Sequence, residues 1–151
     1  MVTPTLMNHD GNGDARIKTA LELLDKYAAQ KFTLGIHGLY TSDEEYIKKA
    51  ADLAREKDMI VHMHFCETKD EAGIIKERYS VSNPGEVLEK YFGGLKCVLA
   101  HCVKLSDYDK KVIAKQGISV SHCPVSNLML GCGTADISTM HEMGVNVSLR
   151  H

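Results

Sequence analysis

The chain has 151 residues, of which 44% are hydrophobic, and its formal net charge at pH 7 is -2. This length and composition fit one globular domain that can bury a core. The absence of a lysine and arginine cluster argues against a nucleic-acid partner, and no apolar run reaches the roughly 18 residues that a membrane-spanning helix requires. Because the start of the chain lacks the basic and apolar parts of a signal peptide, we expect a cytoplasmic protein.

The five cysteines are an odd number and include no C-x-x-C pair. This pattern argues against a disulfide framework and favours a reducing compartment. Cys97 and Cys102 lie in an apolar stretch, where we expect them to be small core residues.

The first part of the chain predicts two helices around one strand. Asp14 can cap a helix whose apolar residues recur at helical spacing: Ile17, Ala20, Leu21 and Leu24. The apolar run FTLGIHGLY indicates a strand that ends near His37. Ser42 and Glu45 have the spacing of a capping box, so a second helix is predicted after them.

The same alternation continues to the end of the chain. MIVHMHF predicts a strand, and residues 70–92 predict two helices separated at SVSNPGE, where Asn83, Pro84 and Glu86 fit a new helix start. KCVLAHCV predicts a buried strand, and a helix capped by Ser106 and ended by Gly117 follows. ISVSHCP predicts another strand, VSNLMLGCGTAD a loop, ISTMHEMG a short helix and VNVSL a last strand.

Five predicted strands thus alternate with helices, and no linker interrupts residues 1–151. Strands connected through helices run parallel with right-handed crossovers. We therefore expect a single α/β unit, either a parallel sheet or part of an α/β barrel.

Histidines lie at or near the C-terminal ends of the first four strands: His37, His64, His101 and His122. Parallel sheets and barrels place active sites at this edge because the loops converge there. A single such histidine is most simply a hydrogen-bonded packing residue, but four at equivalent positions predict a shared pocket.

The stretch VHMHFCET, residues 61–68, has the richest chemistry. Strand alternation predicts two faces, one with His62, His64 and Cys66 and the other with Val61, Met63 and Phe65. His64 would then lie at the pocket mouth and His62 one layer deeper, as a structural residue, while Glu67 can reach back from beyond the strand. A metal-bound imidazole and a nearby carboxylate suit metal-assisted hydrolysis, in which a thiolate ligand such as Cys66 is less usual.

Three motifs, HMHFCET, LAHCVKLSDYD and SHCPVSNLMLGCGTADISTMHEMGVNVSL, resemble the amidohydrolase superfamily in order and spacing. The similarity runs from about Phe32 onward and is greatest to methylthioadenosine/S-adenosylhomocysteine deaminases, 5'-deoxyadenosine deaminases and triazine chlorohydrolases. It implies a (β/α)8 TIM-type barrel, of which this chain would form strands 4 to 8, and one divalent metal, usually zinc and sometimes iron.

The resemblance also implies roles for individual residues. His64 matches a metal ligand, Glu67 the acid/base that protonates a ring nitrogen, and His101 a histidine that helps to activate the metal-bound water. His37 matches a histidine near the substrate, and His122 is either a pocket residue or a loop anchor. The implied reaction is hydrolytic deamination of an adenosine-type N-heterocycle such as a purine nucleoside derivative, with guanine deamination or triazine dechlorination as related possibilities.

The family's strand-one H-x-H pair and strand-eight aspartate have no counterpart here, where VNVSLRH stands in place of VSLGTDG. We therefore expect an incomplete metal site, and homo-oligomers or association with the rest of a barrel, because five strands leave unpaired edges. Two alternatives remain open. One is a non-catalytic half-barrel that serves as an oligomerisation or interaction module, and the other is a small metal-binding protein that uses Cys66, Cys102, Cys123 and Cys132.

Overall fold

A computed structural model describes residues 2–150, in which five strands alternate with seven α-helices. The strands are β1 (Thr33–Ile36), β2 (Ile60–Phe65), β3 (Cys97–His101), β4 (Ser119–His122) and β5 (Val147–Leu149). The helices are α1 (Gly13–Lys26), α2 (Glu44–Glu56), α3 (Glu71–Tyr79), α4 (Gly85–Phe92), α5 (Asp107–Lys115), α6 (Pro124–Met129) and α7 (Ile137–Glu142). A short 3-10 turn, Leu39–Thr41, follows β1.

The strands form one parallel sheet in the order β1-β2-β3-β4-β5, as the alternation predicted. Residues 2–6, for which no strand was predicted, lie along the outer edge of β1. The Leu6 N–H donates to the Gly35 carbonyl at 2.8 Å, and the His37 N–H donates to the Leu6 carbonyl at 2.9 Å. The described part of the chain is therefore an α/β sheet of the kind found in TIM-type barrels.

The alternation of β2 separates a buried face from a half-buried one. Val61, Met63 and Phe65 are at most 2% exposed and belong to the hydrophobic core, whereas His62 and His64 are half-buried. β3 is buried almost throughout, as predicted for a central parallel strand. Residues 2–150 contain no helix that combines the length and apolar character needed to cross a bilayer.

Two predicted helix starts are wrong by one or two positions. The side chain of Asp43, not Ser42, caps α2 by accepting the Tyr46 N–H at 2.8 Å. α1 begins at Gly13, so Asp14 lies in its first turn, where a carboxylate favours the positive end of the helix dipole. In both cases several polar residues stand side by side, and spacing alone does not select the capping one.

The predictions for the starts of α5 and α4, and for the loop after β4, had different outcomes. Ser106 caps α5 in a reciprocal capping box with Asp109, which confirms the cap. The N-cap of α4 is Pro84 and not the predicted Asn83, while Glu86 folds back over the helix start and accepts the Asn83 N–H at 2.8 Å. The predicted loop VSNLMLGCGTAD is partly wrong because residues 124–129 form α6, a helix of six residues.

Candidate functional site

The four strand-end histidines lie at the C-terminal edge of the sheet, and three of them form a row. The ring centroids of His37 and His64 are 5.2 Å apart, and those of His64 and His101 are 5.3 Å apart. His122 ends β4 and is buried, and its Nδ1 has no hydrogen-bond partner within residues 2–150. The structure therefore groups His37, His64 and His101, while the part played by His122 stays a prediction.

His64 is held by the backbone of the neighbouring strand end. Its Nδ1 lies 2.6 Å from the His37 carbonyl oxygen, and its backbone N–H donates to the same oxygen at 3.2 Å. Because a carbonyl only accepts, Nδ1 must carry the proton, and the lone pair of the neutral ring is then on Nε2. That nitrogen is available to a metal or a substrate.

His37 is fixed by the turn that follows β1. The Thr41 hydroxyl donates to the Gly38 carbonyl at 3.2 Å, so its oxygen accepts from Nδ1 of His37 at 3.0 Å. Burial, followed by the nearby His64, lowers the pKa of His37. The lowered pKa favours the neutral ring near pH 7.

Glu67 is carried by a tight turn beyond β2. Cys66 has a left-handed backbone with φ of 49°, so strand alternation ends at this residue. The turn is closed by Glu71, whose two carboxylate oxygens accept the N–H groups of Cys66 and Glu67, each at 2.8 Å. The Glu67 side chain itself is 12% exposed, and its Oε1 lies 3.4 Å from Nδ1 of His101.

His101 has two oxygen neighbours at Nδ1. Besides Glu67, the Oδ1 atom of Asn127 lies 2.7 Å away. Both neighbours are acceptors, so Nδ1 carries a proton, and the neutral tautomer that fits them has its lone pair on Nε2. His101 and Cys102 both have positive φ, 74° and 52°, a conformation that costs a non-glycine residue about 1–3 kcal/mol and is concentrated at functional sites.

Asn127 and Glu71 were not identified from the sequence. Asn127 is fully buried on α6, in a segment that was predicted as a loop, and Glu71 is 2% exposed at the first position of α3. The segment VSN after HCP, and a second glutamate four residues after Glu67, are the signals that could have indicated them. Neither signal specifies a partner without the tertiary fold.

The cysteines are core residues. Cys66 is fully buried in the hydrophobic core and does not share a face with His62 and His64, because its positive φ turns it away from the strand pattern. All five cysteines are free and buried, in agreement with the predicted absence of disulfides. Burial raises the pKa of Cys97 to about 12 and raises that of Cys66 and Cys102 as well, so these thiols stay protonated. Within residues 2–150, no three or more His, Cys, Asp or Glu side chains are placed to hold a metal ion, so the structure gives the cysteine-rich alternative no support.

The profile of the amidohydrolase family matches residues 1–150. The chain belongs to the amidohydrolase family. The resemblance drawn from the three motifs is thus confirmed, including the deaminases and chlorohydrolases named for it.

Two curated relatives are deaminases. The 5-methylthioadenosine/S-adenosylhomocysteine deaminase 2 of Archaeoglobus fulgidus is 41% identical over 117 residues, which are 77% of this chain and 28% of that protein. The 5'-deoxyadenosine deaminase of Methanothrix thermoacetophila is 40% identical over 120 residues, which are 79% of this chain and 29% of that protein. The chain thus spans less than a third of the length of these relatives.

Solved structures similar to this chain also include a deaminase and a chlorohydrolase. An adenosine deaminase of Xanthomonas campestris with bound zinc has a TM-score of 0.85 at 25% identity, over 98% of this chain and 35% of that chain. A mutant atrazine chlorohydrolase of Arthrobacter aurescens TC1, complexed with zinc and atraton, has a TM-score of 0.79 at 25% identity, over 90% of this chain and 31% of that chain. Both neighbours contain zinc.

The residues of this chain fit only part of a zinc site. A catalytic zinc takes three protein ligands, and residues 2–150 contain no group of three or more His, Cys, Asp or Glu side chains placed to hold a metal ion. Nε2 of His64 is one donor with the right tautomer. Within the described chain, the donor set for a metal is therefore incomplete.

Proposed function

We propose that this chain forms the acid and histidine part of the catalytic pocket of a metal-dependent hydrolase that deaminates an adenosine-type N-heterocycle. One observation carries the proposal: Glu67 lies 3.4 Å from His101, and His101 packs beside His64, whose Nε2 has no hydrogen-bond partner among residues 2–150. The names of the relatives, which are deaminases of adenosine derivatives, support this substrate class.

Each side chain has a defined task in this proposal. A divalent metal, most simply zinc, would supply an activated water by lowering its pKa from about 15.7 toward 7, and His64 would be one of its ligands. Glu67 moves one proton of the water to the ring nitrogen next to the carbon that bears the amino group, so that this carbon can bond to the attacking oxygen. The second proton of the water is then passed to the amino nitrogen, the C–N bond breaks and ammonia leaves. His101 accepts a hydrogen bond or proton at Nε2 from the attacking oxygen. His37 lies next to His64 and contacts the substrate, and His122 lines the pocket.

We also propose that β1 to β5 correspond to strands 4 to 8 of a (β/α)8 barrel. The outer strand β5 is short and exposed, and Leu149 on it is 79% exposed. An uncovered parallel edge favours pairing with further strands. Association with the rest of a barrel, or with a second copy, would cover this edge and add the missing metal ligands.

A chimaera tests the function directly. The stretch of the Archaeoglobus fulgidus deaminase that aligns with this chain would be replaced by the corresponding residues of this chain, and ammonia release would be measured with zinc. We expect turnover of 5'-deoxyadenosine or methylthioadenosine, and a loss of about 10²- to 10⁴-fold in the Glu67→Gln chimaera, the usual range for general acid–base catalysis. Glu45→Gln is the matched control because Glu45 is an exposed carboxylate, 82% accessible.

Other outcomes would contradict the proposal. A folded chimaera that binds zinc but releases no ammonia from any purine would favour the non-catalytic half-barrel. Turnover of guanine or a chlorotriazine alone would change the substrate class. Stoichiometric tight zinc in the isolated chain would contradict the statement that its ligand set is incomplete.

A further inference from the structure

Glu71 is a buried carboxylate that the sequence motifs left without a role. It is 2% exposed and begins α3, yet its side chain points back to the end of β2, where both oxygens accept N–H groups. We propose that Glu71 is a positioning residue that holds the turn on which Glu67 reaches His101. This inference rests on the proposed function in one respect, since it takes Glu67 as the proton carrier.

The hydrogen bonds of Glu71 define the turn. Oε1 accepts the Cys66 N–H and Oε2 accepts the Glu67 N–H, so one carboxylate binds two consecutive amides in a bidentate manner. Two consecutive N–H groups converge on one anion only when the backbone bends sharply, and Cys66 provides this bend with φ of 49°. Glu71 therefore stabilises a left-handed conformation that a cysteine rarely adopts.

The two bonds also determine where the Glu67 carboxylate can go. A free amide at the end of a strand attracts the nearest carboxylate, and the carboxylate of Glu67 is the closest in sequence. Glu71 occupies both amides, so the Glu67 side chain is left to extend toward His101, 3.4 Å away. Removal of Glu71 would free the amides to compete with His101 for Glu67.

The electrostatics of Glu71 fit a role in the pocket. Burial raises its pKa, the N–H groups of Glu67, Cys66 and Thr68 oppose that rise, and the charge of Glu67 adds to it. A residue that served packing alone could be apolar at this position, because two buried carboxylates side by side repel each other. The arrangement retains a buried carboxyl group next to Glu67, and the bidentate contact to the turn is what this group provides.

The chain offers a matched control in Glu86. Its Oε1 atom also accepts two consecutive backbone N–H groups, those of Ser82 at 3.1 Å and Asn83 at 2.8 Å, at the start of α4. It has no contact with Glu67 or His101 among the described hydrogen bonds and ion pairs. Glu86→Gln therefore reproduces the chemistry of Glu71→Gln at a site without a catalytic neighbour.

The test uses NMR of the full chain and requires no turnover, so its outcome is independent of the ammonia assay. Wild type, Glu71→Gln, Glu71→Asp, Glu67→Gln and Glu86→Gln would be compared at one fixed pH. We expect the imidazole cross-peaks of His101 to move in Glu67→Gln, to move in the same direction in both Glu71 variants, and to stay in place in Glu86→Gln. Amide exchange at Cys66 and Glu67 should accelerate about 10-fold in Glu71→Gln, as expected for one lost hydrogen bond.

Three results would overturn the inference. The first is a His101 ring that is unchanged in Glu71→Gln although it moves in Glu67→Gln. The second is a His101 ring that is unaffected by Glu67→Gln, which would remove the contact on which the inference depends. The third is global unfolding of both Glu71 variants under conditions in which Glu86→Gln stays folded, since Glu71 would then support the whole fold.

Discussion

Asp109 links two helices on the outside of the sheet, and its replacement by asparagine should destabilise the protein measurably. Asp109 is 1% exposed. Its Oδ1 atom accepts the N–H of Gly85, which is the first residue of α4, at 2.7 Å. Its Oδ2 atom accepts the N–H of Ser106, which caps α5, at 2.9 Å. An asparagine keeps one acceptor and turns an NH2 group toward the other N–H.

The structure gives the size of the effect. Loss of one carboxylate hydrogen bond costs about 1.5–3 kcal/mol, and the N–H left unpaired adds to this, so we expect Asp109→Asn to lose about 2–4 kcal/mol. For a chain of 151 residues, each kcal/mol corresponds to about 2–4 °C in Tm, which gives a decrease of about 4–16 °C. Asp107→Asn is the control because Asp107 is 92% exposed, and we expect it to change stability by less than about 1 kcal/mol.

Urea unfolding followed by circular dichroism measures both variants. A second substitution tests the same contact from the other side, because a Cβ on Gly85 would lie 3.0 Å from Oδ1 of Asp109. Gly85→Ala should therefore destabilise the protein, although alanine is favoured over glycine in a helix by about 1 kcal/mol. If Asp109→Asn and Asp107→Asn fell within 1 kcal/mol of each other, the reasoning from buried charge-assisted bonds would be refuted.

Two further predictions concern the site. Burial lowers the pKa of His37, His62 and His122. As the pH decreases, these histidines are therefore protonated in the unfolded chain before they are protonated in the folded one. The free energy of unfolding should fall from pH 7.5 through about 6.5, by at most about 1.4 kcal/mol per pH unit for each histidine. Urea unfolding at pH 7.5, 6.5 and 5.5 checks this prediction. His62→Gln should make the stability less dependent on pH, and a gain in stability on acidification would contradict the prediction. The other prediction concerns Asn127→Leu, which removes the buried acceptor of His101. It should lower ammonia release in the chimaera by about tenfold or more, the equivalent of one buried hydrogen bond of about 1–3 kcal/mol. Asn146→Leu, on the exposed surface, should leave activity unchanged, and equal losses in the two variants would count against a specific role for Asn127.

The parts of the fold that were predictable are those set by local pattern. Alternating strands and helices gave the parallel sheet, and the position of each histidine at a strand end placed His37, His64 and His101 at one edge. Ser106 was predicted as a cap, and in the structure its partner Asp109 lies only three residues further along the chain. Such features need only neighbours in sequence or a shared strand direction.

The parts that were not predictable depend on contacts between distant residues or on single backbone angles. The hydrogen bond from His101 to Asn127 joins residues 26 apart, and no spacing rule relates a strand end to a later helix of six residues. Cys66 left the predicted face because one positive φ ended the alternation. The pairing of residues 2–6 with β1 was missed because the stretch is short and contains a proline, which weakens any strand signal.

The distribution of backbone strain supports a functional interpretation of this edge. Five non-glycine residues in 2–150 have positive φ, and three of them, Cys66, His101 and Cys102, lie where β2 and β3 end. Strain of this kind costs about 1–3 kcal/mol per residue and persists only where surrounding contacts enforce it. Contacts to the backbone are visible at both strand ends: Glu71 accepts the N–H groups of Cys66 and Glu67, and the Cys102 N–H donates to the Phe65 carbonyl at 3.0 Å. A fold selected for stability alone would relax these positions, so their strain supports the proposal that Glu67 and His101 are held in place before a substrate arrives.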